Sequence, residues 1–498
     1  MVTMIILDGF GISKEEKGNA ILAQSTPYLD KLKEMYPHTT LQASGEFVGL
    51  TPNQIGNSEV GHLNLGAGRV VYQDLPRINN AIKSGDFAKN KKLEECFNHA
   101  KKNYSNLHIM GLVSDGGVHS HIDHLKELVK VAQKSGIKNV YVHCFLDGRD
   151  TPVTSGKKFV EDLITSTNAQ VKSLIGRVYA MDREKRYDRI EVAYDMLALG
   201  KANAYYENVM QAFEDSYKSS ITDEFFKPTI IGRPATIESG DSVIFFNFRT
   251  DRARELTEAF TQKDFDKFER KKLENLHFLC MTEYDEKFDN VSIMFPPEKI
   301  EDNLGAILSQ NGKKQFRISE TTKYAHVTYF FNGGIENPYP NEDRELIESI
   351  NDIDFSKHPN MRAFDITTHT ADAISKDEYD FILVNLSNPD MIGHTGNFEA
   401  TKEAIKCVDK CAYMIALSTL MAGGQAIITA DHGNAEQMLL ENNQPCTSHT
   451  TNPVPFILVS EKHSDIELMK NGKLANVAPT ILKLLNIEIP KNMEKPLF

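Results

Sequence analysis

Gly56-Asn57-Ser58-Glu59-Val60-Gly61-His62 places a serine next to an acidic residue, with a glycine on either side. The flanking glycines let the backbone turn sharply and present the hydroxyl. A serine hydroxyl is a poor nucleophile at neutral pH, so it needs a base or a metal ion to hold it as alkoxide. Metal-ligand character recurs in three distant segments. Asp8 follows Ile5-Ile6-Leu7, Asp390 and His394 lie in Asn388-Pro389-Asp390-Met391-Ile392-Gly393-His394, and Asp431-His432 follows Ile427-Ile428-Thr429-Ala430. His449 in His449-Thr450-Thr451-Asn452 adds another imidazole. Carboxylates and imidazoles without cysteine suit a hard or borderline divalent ion such as manganese, magnesium or zinc. One aspartate or histidine at a strand end is ordinary structure, but their joint occurrence is not.

The elements that must position these residues read as alternating strands and helices. Met4 to Leu7 is a buried strand that delivers Asp8, and Thr26-Pro27 opens a helix that Pro37 stops. From about Tyr72 to Phe295 a second set of strands ends in polar residues of its own. Leu107 to Val113 leads to Ser114-Asp115-Gly116-Gly117-Val118-His119, and Val140 to Leu146 leads to Asp147-Gly148-Arg149-Asp150. Val178 to Met181, read as a further strand, leads to Asp182-Arg183 and on to Arg186 and Arg189, and Val243 to Asn247 leads to Arg249 and Arg252. Each strand hands charged residues to the carboxyl edge, where open α/β sheets bind ligands. Beyond Pro296-Pro297 the first pattern resumes, with strands near 315–319, 380–386, 425–430 and 454–459. Candidate ligands of one centre thus lie on both sides of the middle block. The expected architecture is α/β, with one domain of 1–72 and 299–498 interrupted by a second of 73–298.

The whole chain narrows the function further. Its 498 residues carry a net charge of −13, and the pI is about 5.7. No domain-wide basic field is present to displace counterions, which argues against nucleic acid. The six cysteines are scattered, as in a reducing compartment, and no second pair joins Cys407 and Cys411 to make a zinc site. Too few residues precede Asp8 for a secretory signal, and no apolar run approaches the roughly 20 residues a bilayer requires. The expectation is a cytoplasmic monomer acting on a small molecule, with neither nucleic acid nor membrane as partner.

Taken together, 56–69, 115–121, 147–152, 247–252 and 388–396 resemble the cofactor-independent phosphoglycerate mutases, and the likeness extends to 319–334 and 430–455. The resemblance implies a metal domain like that of alkaline phosphatase, interrupted by an inserted α/β domain. It also implies two divalent ions, manganese or in some members magnesium. One ion would be held by Asp8, Ser58, Asp431 and His432, the other by Asp390, His394 and His449. Ser58 would become phosphoserine, and the phosphoryl group would pass between 3-phosphoglycerate and 2-phosphoglycerate. The substrate ligands so implied are His119, Arg149, Asp150, Arg183, Arg189, Arg249, Arg252 and Lys323. Guanidinium groups suit a substrate with a phosphate and a carboxylate, because they bind both bidentately.

Asp150 is the candidate to exchange protons with the glycerate hydroxyls, although a carboxylate beside an arginine often only orients it. Asp147 is expected to be a structural partner of Arg149. The run His119-Ser120-His121-Ile122-Asp123-His124 imitates a metal site, but a helix starting there separates the three rings. A metal-dependent phosphohydrolase or another phosphomutase would share the metal residues without needing the arginines. A catalytically silent relative would have lost Ser58 or a ligand, and none is missing.

Overall fold

The computed structural model describes residues 1–352 and 354–498. The chain divides into two compact units, Met1–Gln73 with Lys299–Phe498, and Asp74–Glu298. Each unit is an α/β layer structure with its own eight-stranded sheet and its own apolar core.

In the first unit the sheet order is Glu342–Ile347, Gln315–Glu320, Phe381–Leu386, Val2–Leu7, Gln425–Thr429, Val454–Val459, His38–Gln42 and Gly472–Lys473. Val2–Leu7 is buried along its whole length, as an apolar run inside a mostly parallel sheet must be. It pairs in parallel with Phe381–Leu386 (Leu7 opposite Leu386) and with Gln425–Thr429 (Ile6 opposite Thr429). Three parallel strands in register end together. Asp8, Asp390 and Asp431, each one to four residues past its strand, therefore emerge at one edge. Gln315–Glu320 is parallel to Phe381–Leu386 and brings Lys323 to the same edge. Val454–Val459 runs antiparallel, so its beginning, preceded by His449, lies there too.

In the second unit the order is Ser292–Phe295, His277–Thr282, Ser242–Phe245, Leu107–Leu112, Val140–Leu146, Gln170–Gly176, Thr229–Ile231 and Ala204–Tyr206. The first six strands are parallel, and their exits again share an edge. One expected strand is corrected here. Val178 to Met181 is not a strand: the strand is Gln170–Gly176, and Arg177–Ala180 is a single helical turn after it. Short apolar runs do not reveal their type by periodicity alone, and here the neighbouring Val140–Leu146 recruits the earlier, mixed run.

Candidate active site

Ser58 opens the ten-residue helix Ser58–Ala67. Asn57 caps it by accepting from the Val60 N–H at 2.9 Å, which fixes the first turn. The serine hydroxyl thus sits at the positive end of the helix, a place that favours anions. Gly61, one turn on, is required by close approach, since a Cβ there would stand 2.6 Å from the Asp431 carbonyl oxygen. Gly9 turns the chain after Asp8 with φ +75°, and a Cβ there would meet the Asp390 backbone at 2.7 Å.

Around Ser58 the structure gathers residues from the metal-ligand segments singled out in the sequence. Its Oγ is 3.4 Å from Asp8 Oδ1, 2.9 Å from His432 Nε2 and 2.6 Å from Lys323 Nζ. The Lys323 ammonium also donates to Asp8 Oδ1 at 2.7 Å and Asp390 Oδ2 at 2.6 Å. His432 Nε2 is 3.5 Å from Asp431 Oδ2. Burial, and next the Asp431 carboxylate, push the Asp8 carboxyl up, with Lys323 opposing them. Burial alone would lower the lysine, but Asp8, Asp390 and Asp431 more than offset it and hold Lys323 charged.

The histidines provide a test of whether these residues suit a metal. His394 Nδ1 donates to the Thr447 carbonyl at 2.8 Å, and His449 Nδ1 to the Gly56 carbonyl at 2.9 Å. In the neutral rings both Nε2 atoms are then bare lone pairs. They stand 3.0 Å apart, and 3.2 and 3.1 Å from Asp390 Oδ1. Three acceptors this close repel one another unless a proton or a metal ion joins them. Asp431 Oδ2, buried without a hydrogen-bond partner, says the same of the other cluster. The groups Asp390, His394, His449 and Asp8, Asp390, His432 and Asp8, His62, Asp431 each bring three ligand atoms within 4.8 Å of one another. The donor set fits divalent ions.

Two residues not singled out hold this cluster from behind. His62 Nδ1 donates to the Ser58 carbonyl at 2.8 Å and lies 3.2 Å from Asp431 Oδ2. Its Nε2 accepts from Asn385 at 3.0 Å, and the same amide donates to Asp8 Oδ2 at 2.8 Å. The helical spacing from Ser58 to His62 was the available signal for this contact.

In the second unit, His119 and Asp150 meet at 3.9 Å, and Arg183 and Arg249 both pair with Asp251, at 2.8 and 3.1 Å. Arg252 donates to the Met181 carbonyl at 2.9 Å, and Arg189 reaches Asp182 at 3.2 Å. Burial, and then the guanidinium groups of Arg177, Arg183 and Arg149, hold Arg252 below the usual arginine value. Arg149 itself is half exposed and pairs with Glu224 at 3.3 Å, not with Asp147. The buried Asp147 instead pairs with Arg177 at 2.7 Å. Arg177 escaped notice because the strand expected at Val178 placed it before the sheet, not at its exit. Of the decoy histidines, His121 caps the helix Ile122–Lys134 and His124 bonds to Asn79, with their rings 5.8 Å apart, while His119 meets Arg177.

Comparison with known proteins accords with this geometry. Residues 78–286 match the family described as BPG-independent PGAM N-terminus. A 2,3-bisphosphoglycerate-independent phosphoglycerate mutase of Clostridium botulinum is 49% identical over 501 aligned residues, covering 99% of this chain and 98% of that protein. One from Clostridium perfringens is 48% identical with the same coverage. Among solved structures, Leishmania mexicana phosphoglycerate mutase at low cobalt concentration matches with a TM-score of 0.56 and 32% identity, covering 100% of this chain and 97% of that one. With relatives this similar from end to end, the chain belongs to the 2,3-bisphosphoglycerate-independent phosphoglycerate mutases.

Proposed function

We propose that this chain interconverts 3-phosphoglycerate and 2-phosphoglycerate by passing the phosphoryl group through Ser58, without bisphosphoglycerate. The unit of 1–73 and 299–498 is the metal-binding and nucleophile domain, and 74–298 is the substrate-binding domain. Asp8, Ser58, Asp431 and His432 would hold one divalent ion, and Asp390, His394 and His449 a second. Manganese fits this mixed carboxylate and imidazole set, with magnesium the alternative. When bound, such ions lower the pKa of a coordinated oxygen and offset charge on a phosphoryl group.

The chain's own residues account for the remaining steps. Arg149, Arg183, Arg189, Arg249 and Arg252, with His119, bind and orient the anionic groups of the substrate. Ser58 Oγ attacks phosphorus in line, so that the Oγ–P bond forms as the bond from phosphorus to the glycerate 3-oxygen breaks. Lys323, 2.6 Å from that Oγ, stabilises it as an anion, as does the helix end. Asp150, a carboxylate at rest, takes the proton of the glycerate 2-hydroxyl and passes it to the 3-oxygen just freed, and the 2-oxygen then attacks phosphoserine and frees Ser58. The arginines retain glycerate between the two transfers, which makes the outcome a mutase and not a hydrolase. One chain carries both residue sets, and the enzyme acts as a cytoplasmic monomer. No helix among the described residues is long and apolar enough to cross a membrane.

The observation that carries this reading is the Ser58 hydroxyl held among Asp8, His432 and Lys323, three residues from three distant segments. The test is an enolase-coupled assay without bisphosphoglycerate on chelated protein, with manganese or magnesium restored, together with acid-quench mass spectrometry for phosphoserine. Turnover with phosphate found on Ser58 is expected. Full turnover by Ser58→Ala would sink the scheme.

A further inference from the structure

We propose that Arg177 is a positioning residue for this reaction, setting both the Asp150 carboxylate and the tautomer of His119. The proposal rests on the reading above that Asp150 and His119 face the substrate. Arg177 is the first residue after the strand Gln170–Gly176, and only 2% of it is exposed. Its Nη1 donates to Asp147 Oδ1 at 2.7 Å and to Asp150 Oδ2 at 2.6 Å, and its Nη2 lies 2.9 Å from His119 Nε2. One planar cation thus joins two strand exits besides its own.

A guanidinium can only donate, so His119 Nε2 must accept. The ring is therefore neutral, with its proton on Nδ1. That Nδ1 faces Asp251 Oδ1 at 3.7 Å, and both atoms are buried without a hydrogen-bond partner. Asp251 also pairs with Arg183 and Arg249, so the tautomer of His119 is tied to the two arginines beyond it. Burial, and next the Arg177 charge, push His119 down to about 4, which keeps the ring neutral at physiological pH.

Asp150 is fixed in the same way. With Oδ2 taken by Arg177, Oδ1 is left as the oxygen that can exchange a proton with a glycerate hydroxyl. Asp147 is the anchor of the arrangement. It accepts from Ser114 Oγ at 2.7 Å and from the backbone N–H groups of Arg149 at 3.2 Å and Asp150 at 3.0 Å, so the loop and the guanidinium share one buried carboxylate. A lysine at 177 would keep the charge, but a single ammonium cannot reproduce the planar fork that reaches three partners.

The experiment compares Arg177→Lys, Asp150→Asn and the double variant in the metal-loaded enzyme, and reads the His119 tautomer by 15N NMR of histidine-labelled protein, assigned with His119→Gln. Arg177→Lys is expected to lower kcat about 100-fold, the cost of a small misplacement of a reacting group. In the Asp150→Asn background the same change should cost less than about 10-fold, because its main target is already gone. Wild-type His119 should show the Nδ1–H tautomer, and Arg177→Lys a mixture. A wild-type kcat in Arg177→Lys, or fully additive losses, overturns the proposal while Asp150→Asn remains impaired. Full activity of Asp150→Asn removes the underlying reading, and the proposal with it. The wild-type tautomer does not depend on whether Arg177→Lys folds, and an Nε2–H ring would overturn the assignment by itself.

Discussion

Lys323→Met is the perturbation that interrogates the metal cluster most directly. The ammonium is buried and donates to Asp8, Asp390 and Ser58 at 2.7, 2.6 and 2.6 Å, so it is the cation nearest two carboxylates in the absence of metal. Methionine fills a similar volume, so packing is nearly conserved and the change is electrostatic. Breaking a buried ion pair by removing one partner costs about 3–5 kcal/mol, because the remaining charge stays buried. For a unit of this size that is a fall in Tm on the order of 10 °C in chelated protein. Divalent ions supply the same neutralisation, so adding manganese should restore most of the loss and raise Tm more in the variant than in wild type. In the loaded enzyme kcat should still fall about 100-fold or more, since an oriented donor to Ser58 Oγ is gone. Differential scanning calorimetry with and without chelator, alongside the coupled assay, reads all three quantities. Equal stability of the chelated variant and chelated wild type would refute the claim that Lys323 compensates those carboxylates.

Gly61→Ala should cost about 1–3 kcal/mol in urea unfolding, because the added Cβ would fall 2.6 Å from the Asp431 carbonyl and push the helix carrying Ser58 away. Manganese affinity measured by calorimetry should weaken with it. Glu255 supplies a pH dependence in the second unit. Burial, opposed by the Lys185 backbone N–H and reinforced by Asp182, pushes its carboxyl from 4.5 up to about 7. A carboxyl raised in the fold binds its proton more tightly there than in the unfolded chain. Its stabilisation is therefore complete below 4.5 and is lost as pH rises through about 7. Glu255→Gln should flatten Tm against pH over that window, and an unchanged slope would count against the assignment.

The metal cluster was legible because its signal is local. Asp8, Asp390 and Asp431 each follow an apolar run, and parallel strands in register bring such positions to one edge without further information. Lys323 was named through the family resemblance, and its place between Asp8 and Asp390 comes from the pairing of Gln315–Glu320 with Phe381–Leu386, which no local pattern announces. Arg177 and Asn385 were not legible. Asn385 sits inside an apolar strand, where one polar residue has no periodicity to betray it, and it matters only because His62 and Asp8 stand opposite. Arg177 was lost with the boundary of its strand. Strand edges are the least certain feature of a sequence reading and also the place where these sheets keep their chemistry.

The two units apply one topological rule to opposite charges. At the carboxyl edge of the first sheet carboxylates and imidazoles gather around Lys323, and burial together with Asp431 raises Asp8. At the carboxyl edge of the second, arginines gather among Asp147, Asp150, Asp182 and Asp251, and burial together with Arg177, Arg183 and Arg149 lowers Arg252. In both places neighbouring like charges work against the charged form, so each site gains most from a ligand of opposite sign. That arithmetic favours divalent cations at the first edge and an anionic ligand at the second. A hydrolase needs only the first kind of edge. On the proposed mechanism, holding glycerate through two phosphoryl transfers needs the second as well, so the arginines, and the buried Arg177 behind them, would decide between the two outcomes.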